Sequence, residues 1–289
     1  MKRITIIGLG LIGGSLGLAL KKALGTEIEV TGHARKGEVA RLALEKQAVD
    51  KTEAGLASAV KTAEMVIIAT PVLAMRDILK RIAPELAAGC IVTDAASTKA
   101  AVLEWAEQYL PQNVNFVGGH PMAGKETFGI EAADATLFQG CTYCLTPARS
   151  ASRESMHRLK WMAETVGAKP MFLSAADHDY MVAGISHLPL VISTALVSSV
   201  TRSNNWPTMS KLASTGFRDV TRLASGNTEM SRDICLTNRD SLVRWIDDYM
   251  MELRKYRDAV SEGNPDIEAA FARARETRQE WLKKRFGLG

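Results

Sequence analysis

Apolar residues in the first half of the chain fall into short β-branched runs separated by longer segments with helical spacing. Bounded runs of this length are typical of buried strands, and their alternation with helices predicts a largely parallel sheet. The strand-like runs are RITIIG, EIEVTGHAR, EMVIIATPV (64–72), CIVTDAASTK (90–99), VNFVGGHPMAG, FQGCTYCLTP and AKPMFLSA.

After AKPMFLSA the strand pattern stops and only helical patterns follow. Ser174, with Asp177 three residues later, resembles a capping box and predicts a helix start. Residues 181–200 carry no charge and are long enough to span a bilayer, but they include His187 and Pro189. We therefore expect a helix buried at the centre of a helical domain, with a kink at Pro189 that opens a pocket beside His187.

A heptad stripe marks the last third of the chain and ends at Gly263 and Pro265. Its apolar members are Leu242, Ile246, Tyr249, Leu253, Tyr256 and Val260. We interpret the stripe as helix packing and as a candidate subunit interface. The whole pattern predicts an α/β domain over residues 1–173 and an all-α domain over residues 174–289.

Composition narrows the function classes. The 289 residues are 46% hydrophobic and 24% charged, and the net charge of +4 is mild. No dense basic stripe with aromatic residues indicates nucleic-acid binding. Four cysteines are too few for a disulfide framework, and the C-x-x-C pair at Cys141 and Cys144 lies in a predicted strand, so we expect no metal site. We therefore expect a cytoplasmic protein whose cysteines are in the reduced thiol form.

The sequence GLGLIGG follows the first strand and opens a helix. Gly8, Gly10 and Gly13 there have the G-x-G-x-x-G spacing in the strand–turn–helix context that a pyrophosphate site needs. The first domain is thus predicted to be a Rossmann-type doubly wound sheet. Thr70 and Pro71, at the end of a later strand, should line the same crevice.

The residues after the second strand indicate which dinucleotide binds. An NAD site usually has an acidic residue near this strand end, whereas this chain has Ala34, Arg35 and Lys36. Two cations suit a 2′-phosphate, so NADP is the predicted cofactor, with unaided NAD binding as the alternative. The residues expected to contact the cofactor are Gly8, Gly10, Leu11, Ile12, Gly13, Arg35, Lys36, Thr70, Pro71 and Ser97.

His120 stands in GGHPMAG, which we interpret as an open turn just past a strand. Ligands of open α/β sheets bind outside the carboxyl ends of the strands. His120 should therefore lie where a nicotinamide would sit, with the glycines leaving room for a substrate. His33, His157 and His178 are expected to be non-catalytic, His178 belonging to the first turn of a helix.

Two arginines, Arg218 and Arg222, lie four residues apart in STGFRDVTRLASGN. Guanidinium groups bind carboxylates bidentately, which predicts a site for an acid substrate. We expect one arginine, Arg218, to pair with Asp219 and the other, Arg222, to remain available.

Five motifs in order, GLGLIGGSL, TDAASTK, GGHPMAG, ISHLPLV and GFRDVTRLASGN, resemble the prephenate/arogenate dehydrogenase family over essentially the whole chain. The resemblance implies NAD(P)-dependent oxidative decarboxylation of a cyclohexadienol and dimerisation through the helical domain. It implies His120 as catalytic base, Ser97 as its partner, Arg222 as substrate ligand and His187 as a second pocket histidine.

Family members that prefer prephenate carry a further histidine where this chain has Leu190, which favours arogenate. We see no chorismate-mutase segment and no room for a regulatory domain, so feedback through an appended domain is not expected. The alternatives are an NAD-dependent prephenate dehydrogenase, another two-domain hydroxy-acid or imine dehydrogenase, and a cofactor-sensing protein without turnover. The combination of His120, Ser97 and Arg222 argues against the sensing protein.

Overall fold

The computed structural model describes residues 2–125 and 127–287. Within them one sheet has the strand order β3-β2-β1-β4-β5-β6-β7-β8. The strands are β1 (Arg3–Ile7), β2 (Glu29–His33), β3 (Lys51–Thr52), β4 (Met65–Ile68), β5 (Ile91–Asp94), β6 (Asn115–Pro121), β7 (Thr142–Pro147) and β8 (Lys169–Phe172). β7 runs antiparallel to β6, and the other neighbouring pairs are parallel.

Each of the seven predicted runs forms a strand. The eighth strand, β3, has two residues and no apolar run of its own, so the hydrophobic pattern does not reveal it. The order reverses between β1 and β4, which is the point where ligands of such sheets bind. The fold is the predicted doubly wound α/β sheet followed by helices.

Alternation along β1 places its side chains in two different cores. Ile4 and Ile6 belong to one buried apolar cluster, whereas Ile7 belongs to another on the opposite face. The helices that cover the sheet are α1 (Leu11–Leu24), α2 (Gly37–Glu45), α3 (Leu56–Val60), α4 (Val72–Ile82), α5 (Ala100–Tyr109) and α6 (Arg153–Thr165). Because apolar clusters cover both faces of the sheet, the strands and the residues at their ends are held in defined positions.

The second half is helical, as predicted. Its helices are α7 (Ala175–Val182), α8 (Leu188–Val200), α9 (Trp206–Leu212), α10 (Thr215–Thr221), α11 (Thr228–Thr237), α12 (Arg239–Ser261) and α13 (Ile267–Phe286). The Ser174 hydroxyl accepts from the Asp177 N–H at 3.1 Å and donates to its carboxylate at 2.6 Å. The predicted helix start is therefore confirmed.

Between α7 and α8 the chain forms a π-helical turn, Ala183–His187, instead of a simple kink at Pro189. The Leu188 N–H donates to the Ala183 carbonyl, five residues back, which widens the turn. Such turns occur often at functional sites, and this one ends on the buried His187.

The prediction that residues 181–200 are buried was wrong for the single chain. In the most apolar 18-residue segment of the run Ala175–Val200, only 28% is buried. Ile185 is 73% exposed. By length and hydropathy this run could also cross a membrane, although one such helix is weak evidence.

Contacts divide the chain into two compact units, Met1–Leu242 and Val243–Gly289. In the second unit, Tyr256 of α12 and Phe271 of α13 bring their ring centroids within 5.7 Å. The predicted heptad helix is confirmed as α12, but Leu253 and Val260 of its stripe are largely exposed. That exposure leaves an apolar stripe available for a partner.

Candidate functional site

The glycine turn between β1 and α1 is closely packed on one side and open on the other. Gly8 has φ +96°, and a Cβ there would lie 2.5 Å from the Ala69 carbonyl oxygen. A Cβ on Gly13 would overlap the Gly8 carbonyl. By contrast, no atom lies within 4 Å of a Cβ built on Gly10, which caps α1 without a side chain.

This arrangement fits a dinucleotide. The open side at Gly10 gives a pyrophosphate access to the first amides of α1, at Leu11 and Ile12, and to the positive end of the helix. Thr70 and Pro71 follow β4 at the same edge and are half-buried, and Pro71 caps α4. The predicted cofactor residues thus meet at one edge of the sheet.

Arg35 and Lys36 lie exposed directly after β2. The Gly8 N–H donates to the His33 carbonyl at 2.9 Å, so the end of β2 lies beside the glycine turn. Both cations are therefore near the position where a dinucleotide in this turn would place its adenosine ribose.

His120 is not in an open turn, and that prediction was wrong. It lies inside β6, opposite Cys144 of β7, and is only 9% exposed. The sequence pattern missed this because β7 extends the strand through Pro121 by long-range antiparallel pairing. The carboxyl end of β6 still carries the ring at the predicted edge.

The expectation that the neighbouring glycines leave room for a substrate was wrong for Gly118 and Gly119. A Cβ on Gly118 would lie 2.4 Å from the Thr146 hydroxyl, and one on Gly119 would lie 2.4 Å from the Asp94 carbonyl. Protein atoms fill both spaces. Glycine is needed because β5 and β7 approach β6 closely here.

A second histidine, His178 of α7, contacts His120. Nδ1 of His120 lies 2.9 Å from Nε2 of His178, and Nδ1 of His178 lies 2.8 Å from Asp179. His178 lies in the first turn of α7, as predicted, and its contact with His120 brings it into the site, where the sequence analysis had given it no part. The signal that could have found it is the polar DHD triplet, in which His178 shares a helix face with the buried Val182.

Burial lowers the pKa of His120 well below its usual 6.5, and His178, Lys99 and His187 add to the effect. Burial also lowers the pKa of His187 to about 4. Both rings are therefore neutral at neutral pH, which leaves His120 able to accept a proton.

Behind β6 lies a buried ion pair that the sequence did not reveal. Lys99 donates to the Asp94 carboxylate and, at 2.6 Å, to the Gly119 carbonyl. Asp94 accepts from the Gly119 N–H at 3.1 Å. The pair, fully buried, ties the strand that carries His120 to the end of β5.

Ser97 lies between β5 and α5, and its main chain is next to the His187 ring. Among the described residues, the ring of His120 is hydrogen-bonded to His178 and not to Ser97. The structure thus brings His120, Ser97 and His187 to one edge of the sheet.

The two arginines lie on α10 and the turn after it. Arg218 pairs with Asp219 at 3.0 Å, as expected, and both are exposed. Arg222 also has a partner, so the expectation that it is unpaired was wrong. Its turn packs on α8, where the Ala224 N–H donates to the Ser193 hydroxyl at 3.0 Å, about 9 Å along the helix from His187.

None of the four cysteines is in a disulfide bond. In residues 2–125 and 127–287, no group of three or more histidine, cysteine or acidic side chains is arranged to hold a metal ion. The chemistry of the site must be argued from its histidines, hydroxyl groups and cations.

The lowered histidine pKa values predict lower stability in acid. Unfolded histidine titrates near pH 6.5, whereas folded His187 binds its proton only near pH 4. The free energy of unfolding should therefore be at its full value above pH 6.5. Below that, it should fall by up to about 1.4 kcal/mol per pH unit for each of the two histidines with a lowered pKa, His120 and His187. Urea unfolding at several pH values measures the slope.

The His187→Asn variant should have a shallower slope, whereas His157→Gln, at an exposed histidine, should keep the original slope. Equal slopes in all three proteins would contradict the expected role of burial.

Comparison with known proteins supplies the family. Residues 16–172 match the model "Prephenate dehydrogenase, nucleotide-binding domain", and residues 174–274 match "Prephenate dehydrogenase, dimerization domain". The chain is 37% identical over 261 residues to a prephenate dehydrogenase of Bacillus subtilis (strain 168), covering 90% of this chain and 70% of that protein.

Two solved structures are similar along nearly their whole length. An arogenate dehydrogenase from Synechocystis has a TM-score of 0.82 and 32% identity, over 96% of this chain and 99% of that one. The prephenate dehydrogenase from A. aeolicus in complex with hydroxyphenyl propionate and NAD+ has a TM-score of 0.90 and 27% identity, over 97% of this chain and 98% of that one.

Proposed function

Because the chain belongs to the prephenate dehydrogenase family, we propose that it catalyses the NADP-dependent oxidative decarboxylation of arogenate, of prephenate or of both. It is an oxidoreductase of tyrosine biosynthesis with a nicotinamide cofactor and a small-molecule substrate. The observation that carries the proposal is the neutral, buried His120 at the carboxyl edge of the sheet, the same edge that carries the glycine turn after β1. The product is tyrosine from arogenate or 4-hydroxyphenylpyruvate from prephenate.

His120 is the general base of the proposed reaction. It accepts the proton of the ring hydroxyl as that carbon becomes a carbonyl, and Ser97 holds the hydroxyl in position. When bound, the nicotinamide supplies the acceptor for the hydride that leaves the same carbon. Loss of the ring carboxylate as CO2 leaves an aromatic ring.

Arg222 is the proposed ligand of a substrate carboxylate, and His187 and Arg218 are proposed as further substrate ligands. A guanidinium group and a carboxylate can form two parallel hydrogen bonds, which fixes the orientation of the substrate as well as its charge. The packing of the Arg222 turn on α8, the helix that follows His187, supports this role.

Preference for NADP rests on Arg35 and Lys36, which are exposed beside the glycine turn and suited to a 2′-phosphate. Preference for arogenate rests on Leu190, at the position where the family resemblance implies a histidine in members that prefer prephenate. The alternative, an NAD-dependent prephenate dehydrogenase, is favoured by the NAD+ bound to the A. aeolicus enzyme. The hypothesis of a different hydroxy-acid dehydrogenase has weaker support, because two solved 3-hydroxyisobutyrate dehydrogenases, at 15% identity, are similar to this chain in fold alone.

A cytoplasmic homodimer is the proposed form of the enzyme. The match to a dimerization domain, the half-buried apolar residues of α8 and the exposed apolar residues of α12 support the dimer. The absence of disulfide bonds among the four cysteines fits a reducing compartment. We propose a boundary between the two domains after residue 173, and the matches of one family model to residues 16–172 and of the other to residues 174–274 support it.

The decisive assay offers the purified protein arogenate and prephenate separately, each with NADP and with NAD, and follows reduced nicotinamide. We expect the fastest turnover with arogenate and NADP. Arg35→Ala should raise KM for NADP by about 10- to 100-fold, the cost of one charge-assisted hydrogen bond, and leave KM for NAD nearly unchanged.

The matched control is Arg41→Ala, which removes an exposed arginine of α2 paired with Glu45 and should change neither constant. A clear preference of the unmodified enzyme for NAD would overturn the cofactor proposal, and no turnover with either substrate would overturn the function.

A further inference from the structure

Asp179 is a buried residue that is linked to both histidines of the site. Its carboxylate is linked to His120 through His178, and its main-chain carbonyl is linked to His187 through Asn238. Asp179 lies in α7 and is 3% exposed. Its carboxylate accepts from His178 at 2.8 Å and from the main-chain N–H groups of Lys99 and Ala100, at 2.7 and 2.8 Å. Its main-chain carbonyl accepts from the Asn238 side chain at 2.7 Å.

The carboxylate determines where the hydrogen of His120 sits. A carboxylate facing two main-chain donors at the start of α5 only accepts, so Nδ1 of His178 must donate to it. The other ring nitrogen of His178, Nε2, then serves as the acceptor for the hydrogen on Nδ1 of His120, 2.9 Å away. Nε2 of His120 is left with its lone pair.

The carbonyl determines where the hydrogen of His187 sits. Asn238 is 5% exposed, and its side-chain nitrogen faces the Asp179 carbonyl, which fixes the orientation of the amide. The same nitrogen lies 3.3 Å from Nδ1 of His187. An amide nitrogen only donates, so Nδ1 of His187 accepts and Nε2 carries the hydrogen.

Nε2 of His187 is buried and has no hydrogen-bond partner within the described part of the chain. The ring itself is 1% exposed, and the main chain of Ser97 lies near enough to favour its charged form, at the edge of the sheet where β6 carries His120. Burying a donor without a partner is unfavourable, and a ligand that supplies an acceptor removes that cost.

We propose that Asp179 gives the two histidines opposite roles: through His178 it makes Nε2 of His120 an acceptor, and through Asn238 it makes Nε2 of His187 a donor. The assignment rests on the proposed function for its substrate, which must offer a hydroxyl to His120 and an oxygen acceptor, such as a carboxylate, to His187. His178, Asp179 and Asn238 are then positioning residues, and neither histidine can exchange roles with the other.

The first test does not depend on activity. In protein labelled with 15N-histidine, long-range 1H–15N spectra at neutral pH distinguish the two neutral forms of each ring. His120 should carry its hydrogen on Nδ1 and His187 on Nε2, with assignments from the His120→Asn and His187→Asn variants. The reverse form at either ring would overturn the proposal, whether or not the enzyme accepts arogenate or prephenate.

The second test examines separately the link through Asn238 and the link through His178. Asn238→Asp places an oxygen against Nδ1 of His187, so the hydrogen should move to Nδ1 and KM should rise by about 10- to 100-fold, with a smaller change in kcat. His178→Leu should lower kcat by at least about 10-fold at nearly constant KM, since leucine offers no acceptor for the hydrogen on Nδ1 of His120 and the form of that ring is no longer selected.

Asn113→Asp, at an exposed asparagine, is the control for the added charge and should match the original enzyme. If Asn238→Asp only lowers the free energy of unfolding and the hydrogen of His187 stays on Nε2, Asn238 is structural and the proposal is overturned. Failure of the unmodified enzyme on both substrates would refute the function and leave the spectroscopic result to decide the histidine roles.

Discussion

Replacing His120 by asparagine is expected to lower kcat by about 10²- to 10⁴-fold, the usual contribution of a general base. Asparagine keeps a donor toward His178 but has no nitrogen that can accept the hydroxyl proton. Cofactor binding should remain, because the glycine turn lies on β1 and α1. Steady-state kinetics and a fluorescence titration with NADP measure the two effects separately.

The pH profile provides a second measurement of the same residue. Because burial holds the pKa of His120 well below 6.5, kcat/KM of the unmodified enzyme should stay constant as the pH falls through 6.5 and decline only in more acidic solution. His157→Gln, at an exposed histidine, should behave like the unmodified enzyme. Near-normal turnover by the His120→Asn variant would show that His120 is not the general base.

Local sequence features predicted the sheet and the cofactor turn. A β-branched run forms a strand wherever both faces are covered, and the spacing of Gly8, Gly10 and Gly13 acts through their own backbone. By contrast, β3 consists of Lys51 and Thr52, and only its pairing with β2 makes it a strand.

Residues whose role depends on distant partners could not be placed from the sequence. His120 was assigned to a turn because glycines and a proline surround it, but pairing with β7 makes it part of a strand. His178 and Lys99 look ordinary in sequence, and their roles arise from contacts with residues 58 and 20 positions away. Hydrophobic patterning carries no information about such polar contacts.

Burial of the apolar segment 181–200 was overestimated for a physical reason. Hydropathy records that a surface must be covered, and it does not say whether the same chain covers it. Ile185 and the half-exposed apolar residues of α8 remain accessible in the single chain, as does the stripe on α12. An apolar surface left exposed in this way is characteristic of an interface with another protein.

The Lys99–Asp94 pair is expected to dominate the stability of the site. Both side chains are fully buried, and Lys99→Met would leave the Asp94 carboxylate without its cation in a region of low dielectric. Removing one partner of such a pair typically costs about 3–5 kcal/mol, whereas removing both charges costs far less. We therefore expect Lys99→Met to shift urea unfolding strongly, and Lys99→Met with Asp94→Asn to recover much of the loss.

Lys125→Met is the matched control, because Lys125 pairs with Asp134 at 2.9 Å but both side chains are more than one-third exposed. Solvent screens that pair, so the control should change the free energy of unfolding by less than about 1 kcal/mol. Since Lys99 also binds the Gly119 carbonyl next to His120, the single variant should lose activity even where it remains folded. Equal stability of Lys99→Met and Lys125→Met would mean that the buried pair does not hold β6 in place.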